Sequence, residues 1–491
     1  MAANLLGSGW SAVMGLAFVP VYIKLMGVEA YGIVGVYLSL QAMFAILDLG
    51  LSQVLARELA RLSGGVGDEK RAVDTVKTFE VIYLCLAVVV FLCIHMLSGY
   101  IASDWLKPKS ISPQEVEFAL SVMAFAIAAR WPISLYMGGF GGLQKHVHLN
   151  LIVAFFATVQ SLGVLVVLCF LSPTISAFLA WQALAAFLQL LVMRHVFWKL
   201  LPDVTATFSP TILKDVWRFA AGMTGVALLG TLLSQMDKIL LSRILTLEDF
   251  GYYVFASTVA AVLFRLIGPI FSTYLPRITQ LVASGDQARL GATYHQASQI
   301  MALTVIPIAA ILAAYSSEVV LLWSGNSSLA SGTGTLITLL VVGNFLNGMV
   351  NIPYALQLAN GWTSLALVQN IVAVVFLGPA IYICVAKWGA VGAAAVWVGL
   401  NLIYVLVSVQ IMHVRLLSEE KWRWYLESLI APSIAAVFVV ILFRALAPSS
   451  GSRVIEFFVL AVAGLSCIFC VALVLPVSRA LMFQRILRFG R

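Results

Sequence analysis

The sequence contains few charged residues. Of its 491 residues only 10% are Asp, Glu, Lys or Arg, and 62% are hydrophobic, whereas about 25% of an ordinary soluble domain is charged. This shortage excludes a water-soluble globular protein. A membrane-spanning helix takes about 20 apolar residues, so we expect a chain of membrane helices joined by short connections, with no sizeable soluble domain.

Cysteine is also sparse, and all six cysteines lie within apolar stretches. Such residues behave as small hydrophobic side chains, so no disulfide framework is expected. Cys467 and Cys470 form a CxxC pair, but a zinc site needs two further ligands and none lies in that stretch. No metal site or cofactor is predicted. Phosphate-loop, Ser-His-Asp and HExxH motifs are missing from water-exposed segments, so we do not expect an enzyme.

Fourteen apolar stretches predict an all-α polytopic membrane protein with about 14 transmembrane helices. They fall at residues 5–26, 31–54, 79–98, 116–138, 149–171, 175–197, 219–241, 251–274, 298–322, 333–357, 364–385, 390–412, 428–446 and 454–476. If both termini lie on one side, 19 of the 29 basic residues fall in loops or the tail on that side. Excess positive charge marks the cytoplasmic side of a membrane protein, so both termini are predicted to be cytoplasmic.

A short sequence repeats along the chain. Residues 24–32 (KLMGVEAYG) and 243–251 (RILTLEDFG) each place a base, two apolar residues, Glu, an aromatic and Gly between an odd and an even span. This pattern predicts a parallel repeat of a six-helix unit, and the alternative is a chance match of loop chemistry. The predicted domains are an N-lobe at 1–200, a cytoplasmic linker at 201–218, a C-lobe at 219–413, and two added helices with a basic cytoplasmic tail at 414–491.

Polar side chains recur at helical spacing inside the apolar stretches, where each is costly unless it faces protein or water. One interpretation is a water-filled cavity between the two halves, and the other is hydrogen bonding between neighbouring helices. Two sets are spaced to share a helix face. The first is Gln41, Asp48 and Ser52, and the second is Thr258, Arg265 and Ser272. The residues assigned to the cavity lining are Gln41, Ser52, Ser134, Thr258, Asn344, Asn347 and Asn351.

Two arginines, Arg130 and Arg265, lie near the middle of predicted spans. An arginine that faced lipid there would cost about 3 kcal/mol or more. Each therefore needs an anion, which is either an anionic substrate or a buried carboxylate such as Asp48.

Other ionisable residues are assigned supporting roles. Lys24, Arg57 and Lys238 are predicted to assist substrate binding, with the alternative that they only extend to the membrane surface or set the topology. Asp48 and Asp237 are assigned to charge balance or ion coupling, and coupling to protons or to sodium is left open.

Several of these segments resemble a known family. In the first half the resemblance rests on residues Asn4 through Gly32 and on the segment Leu47 to Leu51, which Arg57 follows. In the second half it rests on a further set of segments. The second-half segments are Asp237 to Ser242, Glu248 to Tyr253, Pro269 and Pro276-Arg277. They resemble bacterial polysaccharide flippases, the O-antigen, capsule and exopolysaccharide repeat-unit transporters of the MATE-like MOP superfamily, over roughly residues 1–410.

The resemblance implies a V-shaped pair of six-helix lobes around a cationic cavity. It further implies alternating-access transport of an undecaprenyl-pyrophosphate-linked oligosaccharide from the cytoplasmic to the periplasmic leaflet of the bacterial inner membrane. Membrane lipids are expected partners, nucleic acid is not, and a polysaccharide polymerase and a chain-length regulator are left as open candidates.

Other functions were weighed against a polysaccharide flippase. A MATE-type drug or cation antiporter would need an acidic cavity, and a lipid II-type flippase would account for two extra helices. A membrane-embedded polymerase or ligase and a channel fit less well. The longest outward loop is roughly 17 residues around Lys107 to Glu115, which is too short for a catalytic domain, and no filter motif is present.

Overall fold

The computed structural model describes residues 2–48, 50–65, 67–446 and 453–479, apart from the side chains of residues 2–6, 8 and 215–227. The predicted basic tail beyond residue 479 lies outside the described residues. Every regular element in the described ranges is a helix and none is a strand. The predicted all-α fold is confirmed.

The described chain forms twenty α-helices. In the first half these are α1 (Ala2–Ala17), α2 (Val19–Met26), α3 (Val28–Phe44), α4 (Leu51–Ser63), α5 (Glu69–Tyr100), α6 (Pro113–Arg130), α7 (Ile133–Gly142), α8 (His146–Val166), α9 (Ile175–Trp198) and α10 (Pro210–Ile244). They continue as α11 (Leu247–Ala260), α12 (Val262–Ser284), α13 (Gln287–Ala314), α14 (Ser316–Ser324), α15 (Ser327–Ala359), α16 (Ser364–Ile403), α17 (Val409–Leu416), α18 (Lys421–Arg423), α19 (Ala431–Leu446) and α20 (Arg453–Val474). Short π segments occur at Ile101–Trp105, Val167–Leu171, Tyr404–Ser408 and Trp424–Ile430, and 3₁₀ turns at Ala45–Asp48 and Ser418–Glu420.

Twelve helical stretches of the described chain are long and apolar enough to cross a membrane. One of them, Ser364–Leu416, has 53 residues and contains Gly389 at φ 56° and ψ −144°, a conformation that favours glycine. The sequence predicts the turn between two spans at this point. The 35-residue helix α10, which contains the predicted seventh span, is not among the twelve. If the long stretch is counted as two spans that meet at Gly389, and α10 is counted as a further span, the number of spans agrees with the prediction of about 14.

One of the predicted polar helix faces is broken. The second predicted span ends as the 3₁₀ turn Ala45–Asp48, and Gly50, with φ 74°, begins α4. Asp48 therefore lies at a helix break that a left-handed glycine permits, and the prediction that Gln41, Asp48 and Ser52 share one continuous face is wrong. The face predicted for Thr258, Arg265 and Ser272 stays a prediction, because only Ala261 separates α11 from α12 and its backbone is right-handed, with φ −67° and ψ −11°.

The chain forms two compact units, Met1–Val254 and Phe255–Arg491, and the division falls inside α11. The predicted lobe boundary at residues 200–219 stays a prediction. In the first unit a core of buried aromatic and aliphatic side chains lies among α4, α5, α7 and α9. A Cβ at Gly138 or Gly142 would lie 2.4 Å from the carbonyl oxygen of Ser52 or Ala56. The glycine-rich stretch therefore allows α7 to pack closely against α4.

The two copies of the repeated sequence contact each other within the first unit. A Cβ at Gly32 would lie 2.5 Å from the carbonyl oxygen of Leu247, and one at Gly251 would lie 2.2 Å from that of Val28. Gly32 and Val28 occupy the positions in the first copy that Gly251 and Leu247 occupy in the second. The contact is therefore reciprocal, which a chance match of loop chemistry does not account for.

The outward loop predicted around Lys107 is shorter than expected. α5 continues into the π segment Ile101–Trp105, and α6 begins at Pro113, so only residues 106–112 connect them. The buried carboxylate of Glu29 accepts hydrogen bonds from the backbone N–H groups of Lys109 and Ser110 and from the Ser110 hydroxyl. This loop is therefore fixed to the start of α3.

Candidate functional site

Arg130 lies at the end of α6 and is half-buried. Its Nη2 donates hydrogen bonds to Oε1 of Gln160, at 2.5 Å, and of Gln182, at 3.5 Å. Gln160 in turn donates from Nε2 to Oε1 of Gln189, at 3.1 Å. Among the described residues no carboxylate pairs with this guanidinium. Because amides orient a guanidinium without neutralising it, Arg130 keeps the charge and the donors needed to bind an anion.

Asp48 lies within hydrogen-bonding distance of three hydroxyl groups. Its carboxylate accepts hydrogen bonds from Ser52, at 2.8 Å, from Ser134, at 3.3 Å, and from Tyr83. Tyr83 is fully buried and stacks on Trp131, with ring centroids 4.7 Å apart. No cation pairs with Asp48 in the described part of the chain, so the pair that the sequence offered as an alternative for Arg130 is not formed.

The carboxylate of Asp48 and the oxygens around it are chemically suited to bind a small hard cation. The structure therefore brings three of the predicted site residues, Asp48, Ser52 and Ser134, into one cluster. The role of Asp48 in ion coupling or charge balance and the cavity-lining role of Ser52 and Ser134 stay predictions.

Asp237 and Lys238 are neighbours near the end of α10. Asp237 accepts a hydrogen bond from the Tyr253 hydroxyl at 2.6 Å, and the Lys238 Nζ lies 3.7 Å from Asp237 Oδ1. The same Nζ donates to the carbonyl oxygen of Ser234 at 3.4 Å. Both contacts of the ammonium are long, so its charge is only partly compensated by protein groups.

Three predicted site cations have exposed side chains, namely Lys24 and Arg57 in the first unit and Arg265 in the second. None of the three forms an ion pair or hydrogen bond with another described residue. Gln41 is half-buried, and its Oε1 has no hydrogen-bond partner within the described ranges.

The predicted asparagines of α15 connect helices of the second unit. Asn344 is buried, donates to the carbonyl oxygen of Ala260 at 2.9 Å and accepts from Trp397 Nε1 at 2.9 Å. Asn347 donates to Asn401 Oδ1 at 2.8 Å. Asn344 and Asn347 therefore form hydrogen bonds between helices, which is the interpretation that the sequence left open beside a cavity lining.

Asn351 and Thr258 are the remaining residues that the sequence assigned to a cavity lining. Asn351 donates to the carbonyl oxygen of Asn347 at 2.9 Å, and Thr258 is half-buried in α11. A cavity-lining role for either residue stays a prediction.

Sequence reasoning missed several partners. Gln160 is a polar residue within the apolar stretch 149–171 and could have been noticed. Tyr83 gives no signal, because aromatic residues are common in membrane helices. Glu80 was also missed. It is buried and accepts hydrogen bonds from Arg194 Nε at 2.5 Å and from the Tyr136 hydroxyl at 2.7 Å, and thereby joins α5 to α7 and α9.

Comparison with known proteins identifies the family. Residues 1–282 match the family model described as polysaccharide biosynthesis protein, which is more than half of the chain. The chain belongs to this polysaccharide biosynthesis protein family.

Individual members of the wider superfamily support the same assignment. The chain is 21% identical to a putative O-antigen transporter from Shigella flexneri over 394 residues, which is 80% of this chain and 92% of that protein. The fold is similar to that of the lipid II flippase MurJ in an inward closed conformation, with a TM-score of 0.68 at 11% identity over 99% of both chains. It is also similar to an inward-facing multidrug resistance MATE transporter of the MOP superfamily, with a TM-score of 0.64 at 16% identity over 85% of this chain and 94% of that one.

These comparisons confirm two predictions, membership of the MOP superfamily of polysaccharide flippases and a MATE-like fold. This polysaccharide biosynthesis protein is therefore a multi-pass membrane protein of a transporter family.

Proposed function

We propose that the protein moves an undecaprenyl-pyrophosphate-linked oligosaccharide from the cytoplasmic to the periplasmic leaflet of the bacterial inner membrane by alternating access. Both termini would lie in the cytoplasm, and the predicted lobes at 1–200 and 219–413 would be the parts that move. The relatives support this proposal at the level of the superfamily. The assignment of substrate depends on the charged residues of this chain.

The observation that carries the proposal is the environment of Arg130. An ionisable side chain within a membrane helix almost always pairs with another ionisable group or with a backbone carbonyl, but Arg130 bonds the neutral side-chain amides of Gln160 and Gln182. Two parallel donors of a guanidinium match two oxygens of a phosphate group, and the adjoining amides can hydrogen-bond sugar hydroxyls. A pyrophosphate joined to an oligosaccharide combines both kinds of group in one molecule.

The other predicted site residues favour an anion as well. Lys24, Arg57 and Arg265 are exposed and carry charge that no described carboxylate balances, whereas Asp48 is the one predicted site carboxylate without a cation in the described ranges. In the proposed mechanism the arginines bind the pyrophosphate and Asp48 couples transport to a cation or balances charge.

A second candidate is cation or drug antiport, and Asp48 is the observation that favours it. A carboxylate surrounded by the hydroxyls of Ser52, Tyr83 and Ser134, with no cation beside it in the described part of the chain, is a plausible cation site on chemical grounds. Transport of an organic cation by this protein should then depend on Asp48 and should be unaffected by charge reversal at Arg130.

The deciding experiment replaces Arg130 by glutamine or glutamate in the full-length protein. It measures transfer of a lipid-pyrophosphate oligosaccharide across proteoliposomes, and polysaccharide export in a cell that lacks its own flippase. A hydrogen bond to a charged group contributes about 1.5–3 kcal/mol, so we expect Arg130→Gln to weaken substrate binding by roughly 10- to 150-fold. Arg130→Glu should abolish export while membrane insertion is retained.

The matched control is Arg289→Glu, since Arg289 is highly exposed and pairs with Asp286 near the start of α13. Normal export in Arg130→Glu would refute the assignment of an anionic substrate to this arginine. Loss of organic-cation efflux in Asp48→Asn, with lipid transfer absent in the unmodified protein, would instead establish the second candidate.

A further inference from the structure

A cavity of about 280 Å³ lies within the first compact unit, and its surface is almost wholly apolar. Its walls come from α3, from the end of α5 with the π segment that follows, from α10 and from Phe250 in α11. Lys238 and Ser39 are among the lining residues, but on such a surface they contribute carbon atoms and almost no polar atoms. The walls therefore offer little that a phosphate or a sugar could bind.

The chemistry of the walls favours hydrocarbon over water in this cavity. A buried water needs about two to four polar partners, and the surface presents almost none. Apolar cavities in proteins instead bind apolar molecules such as benzene, because wall atoms without a neighbour lose their packing contacts. At about 30 Å³ for each water-sized group, the cavity has room for roughly nine methylene groups.

The lining of the cavity follows the axis of α3. The lining residues on this helix are Val36, Ser39, Leu40 and Met43, whose spacing places them on one face. From the first of them to the last the wall extends for roughly 10 Å, at about 1.5 Å per residue. A wall of this length suits an extended hydrocarbon chain better than a compact ring.

The cavity is continuous with the surface of α5 that faces the membrane. Leu97 and Tyr100 line the cavity and are nevertheless 53% and 50% exposed. Both belong to the membrane-spanning stretch Glu69–Trp105, and the neighbouring Met96 is 81% exposed. Exposed apolar side chains on such a stretch contact the hydrocarbon of the bilayer. A chain from the bilayer can therefore enter the cavity without crossing a polar surface.

We propose that this cavity binds one acyl chain of a bilayer phospholipid. Lipid tails are as apolar as the walls, so the chain is held by packing contacts, and the bilayer supplies phospholipid in large excess over any transported lipid. The walls carry no group that would select a different headgroup. The inference goes beyond the proposed function and does not depend on the transported substrate. The bound chain would contact α3 and α10 together and would support their packing.

The test uses the full-length protein in phosphatidylglycerol nanodiscs. A small fraction of the lipid carries a photoreactive diazirine near the end of one acyl chain, and mass spectrometry identifies the labelled residues. We expect label on Val36 and Phe250, because both line the cavity but are only 8% and 0% exposed. Val89, which is 53% exposed on α5 and does not line the cavity, should be labelled from the bilayer as a reference. Label on Val89 alone would overturn the inference.

A substitution that fills the cavity should remove the label from its walls. Leu40→Trp is expected to do so, because Leu40 lines the cavity, and Val89 should stay labelled. Leu38→Trp is the matched control, since Leu38 lies two residues away on α3, is 44% exposed and does not line the cavity. Labelling of Val36 that persists in Leu40→Trp would overturn the inference, because the probe would then reach Val36 by another route.

Competition distinguishes a phospholipid chain from an isoprenoid chain. Undecaprenyl phosphate, added at the same fraction as the probe, should leave the labelling of Val36 unchanged, because unlabelled phosphatidylglycerol already competes in large excess. Loss of the label at Val36 but not at Val89 would show that the cavity selects the isoprenoid chain. That result would overturn the assignment to phospholipid.

Discussion

Substitution of Gly251 by alanine should separate the two copies of the repeated sequence. The new Cβ would lie 2.2 Å from the carbonyl oxygen of Val28, whereas heavy atoms in favourable contact are about 3.5–4.0 Å apart. The facing atom belongs to the backbone and cannot rotate away, so α3 and α11 must move apart by roughly 1 Å or more. Overpacking of this kind costs typically about 1–3 kcal/mol.

The substitution destabilises the arrangement in which the two copies of the repeated sequence are packed together. It does not destabilise an arrangement in which they are apart. A difference of about 1–3 kcal/mol changes the ratio of the two arrangements by roughly 5- to 150-fold. Gly32→Ala should have a similar effect, because its Cβ would lie 2.5 Å from the Leu247 carbonyl oxygen. The double variant should add little, because the first substitution already breaks the contact that the second would strain.

Double electron-electron resonance between two spin labels in proteoliposomes can measure the separation of the two copies of the repeated sequence. Spin labels would be placed at Val21 and Glu248, which are exposed, after replacement of the native cysteines. Gly251→Ala should increase the population with the longer distance. Gly15→Ala is the control, since a Cβ there meets no atom within 4 Å. Identical distance distributions in Gly251→Ala and Gly15→Ala, with both proteins folded, would refute the reasoning.

Two further predictions concern the polar clusters. Tyr83→Phe removes one of the three hydroxyl groups that bond Asp48. We therefore expect the coupling of substrate transfer to a proton or sodium gradient to fall by about 1–3 kcal/mol, measured as the flux with and without the imposed gradient. Unchanged coupling would show that Asp48 takes no part in the transport cycle. Asn344→Ala leaves the indole N–H of Trp397 without its partner and should lower the free energy of unfolding by about 1–3 kcal/mol, measured by thermal denaturation in detergent. Asn360→Ala removes a single local hydrogen bond, to the Leu356 carbonyl oxygen, at an exposed position and should have a smaller effect. Equal losses in both asparagine variants would contradict the structural role of Asn344.

Hydropathy and short repeats predicted most of the architecture, because both depend on local sequence. Apolar stretches of about 20 residues can hardly be anything but membrane helices. The gap between the stretches 364–385 and 390–412 marked the turn at which the structure has Gly389 at φ 56°. The helix break at Gly50 was missed. An apolar stretch continues through it, and hydropathy does not register the left-handed conformation of a single residue.

The candidate site was less predictable, because hydrogen-bond partners depend on how distant helices pack. The sequence identified Arg130 and Asp48 as costly in a membrane and left two partners open for Arg130, an anionic substrate or a buried carboxylate such as Asp48. The structure instead pairs Arg130 with Gln160 and Asp48 with Tyr83. Neither partner is charged, so a search for complementary charges could not find them.

The reciprocal contact between the repeated sequences also bears on how the protein arose. Gly35 and Val254 occupy equivalent positions in the two copies, and a Cβ at Gly35 would lie 2.2 Å from Val254 Cγ2. A residue that meets its own equivalent lies on a two-fold axis, as in the isologous interface of a homodimer. A six-helix ancestor that paired with itself would have carried the same residue on both sides of this axis. In this chain one of the two positions is a glycine and the other a valine, so the valine side chain occupies the space that the glycine leaves open.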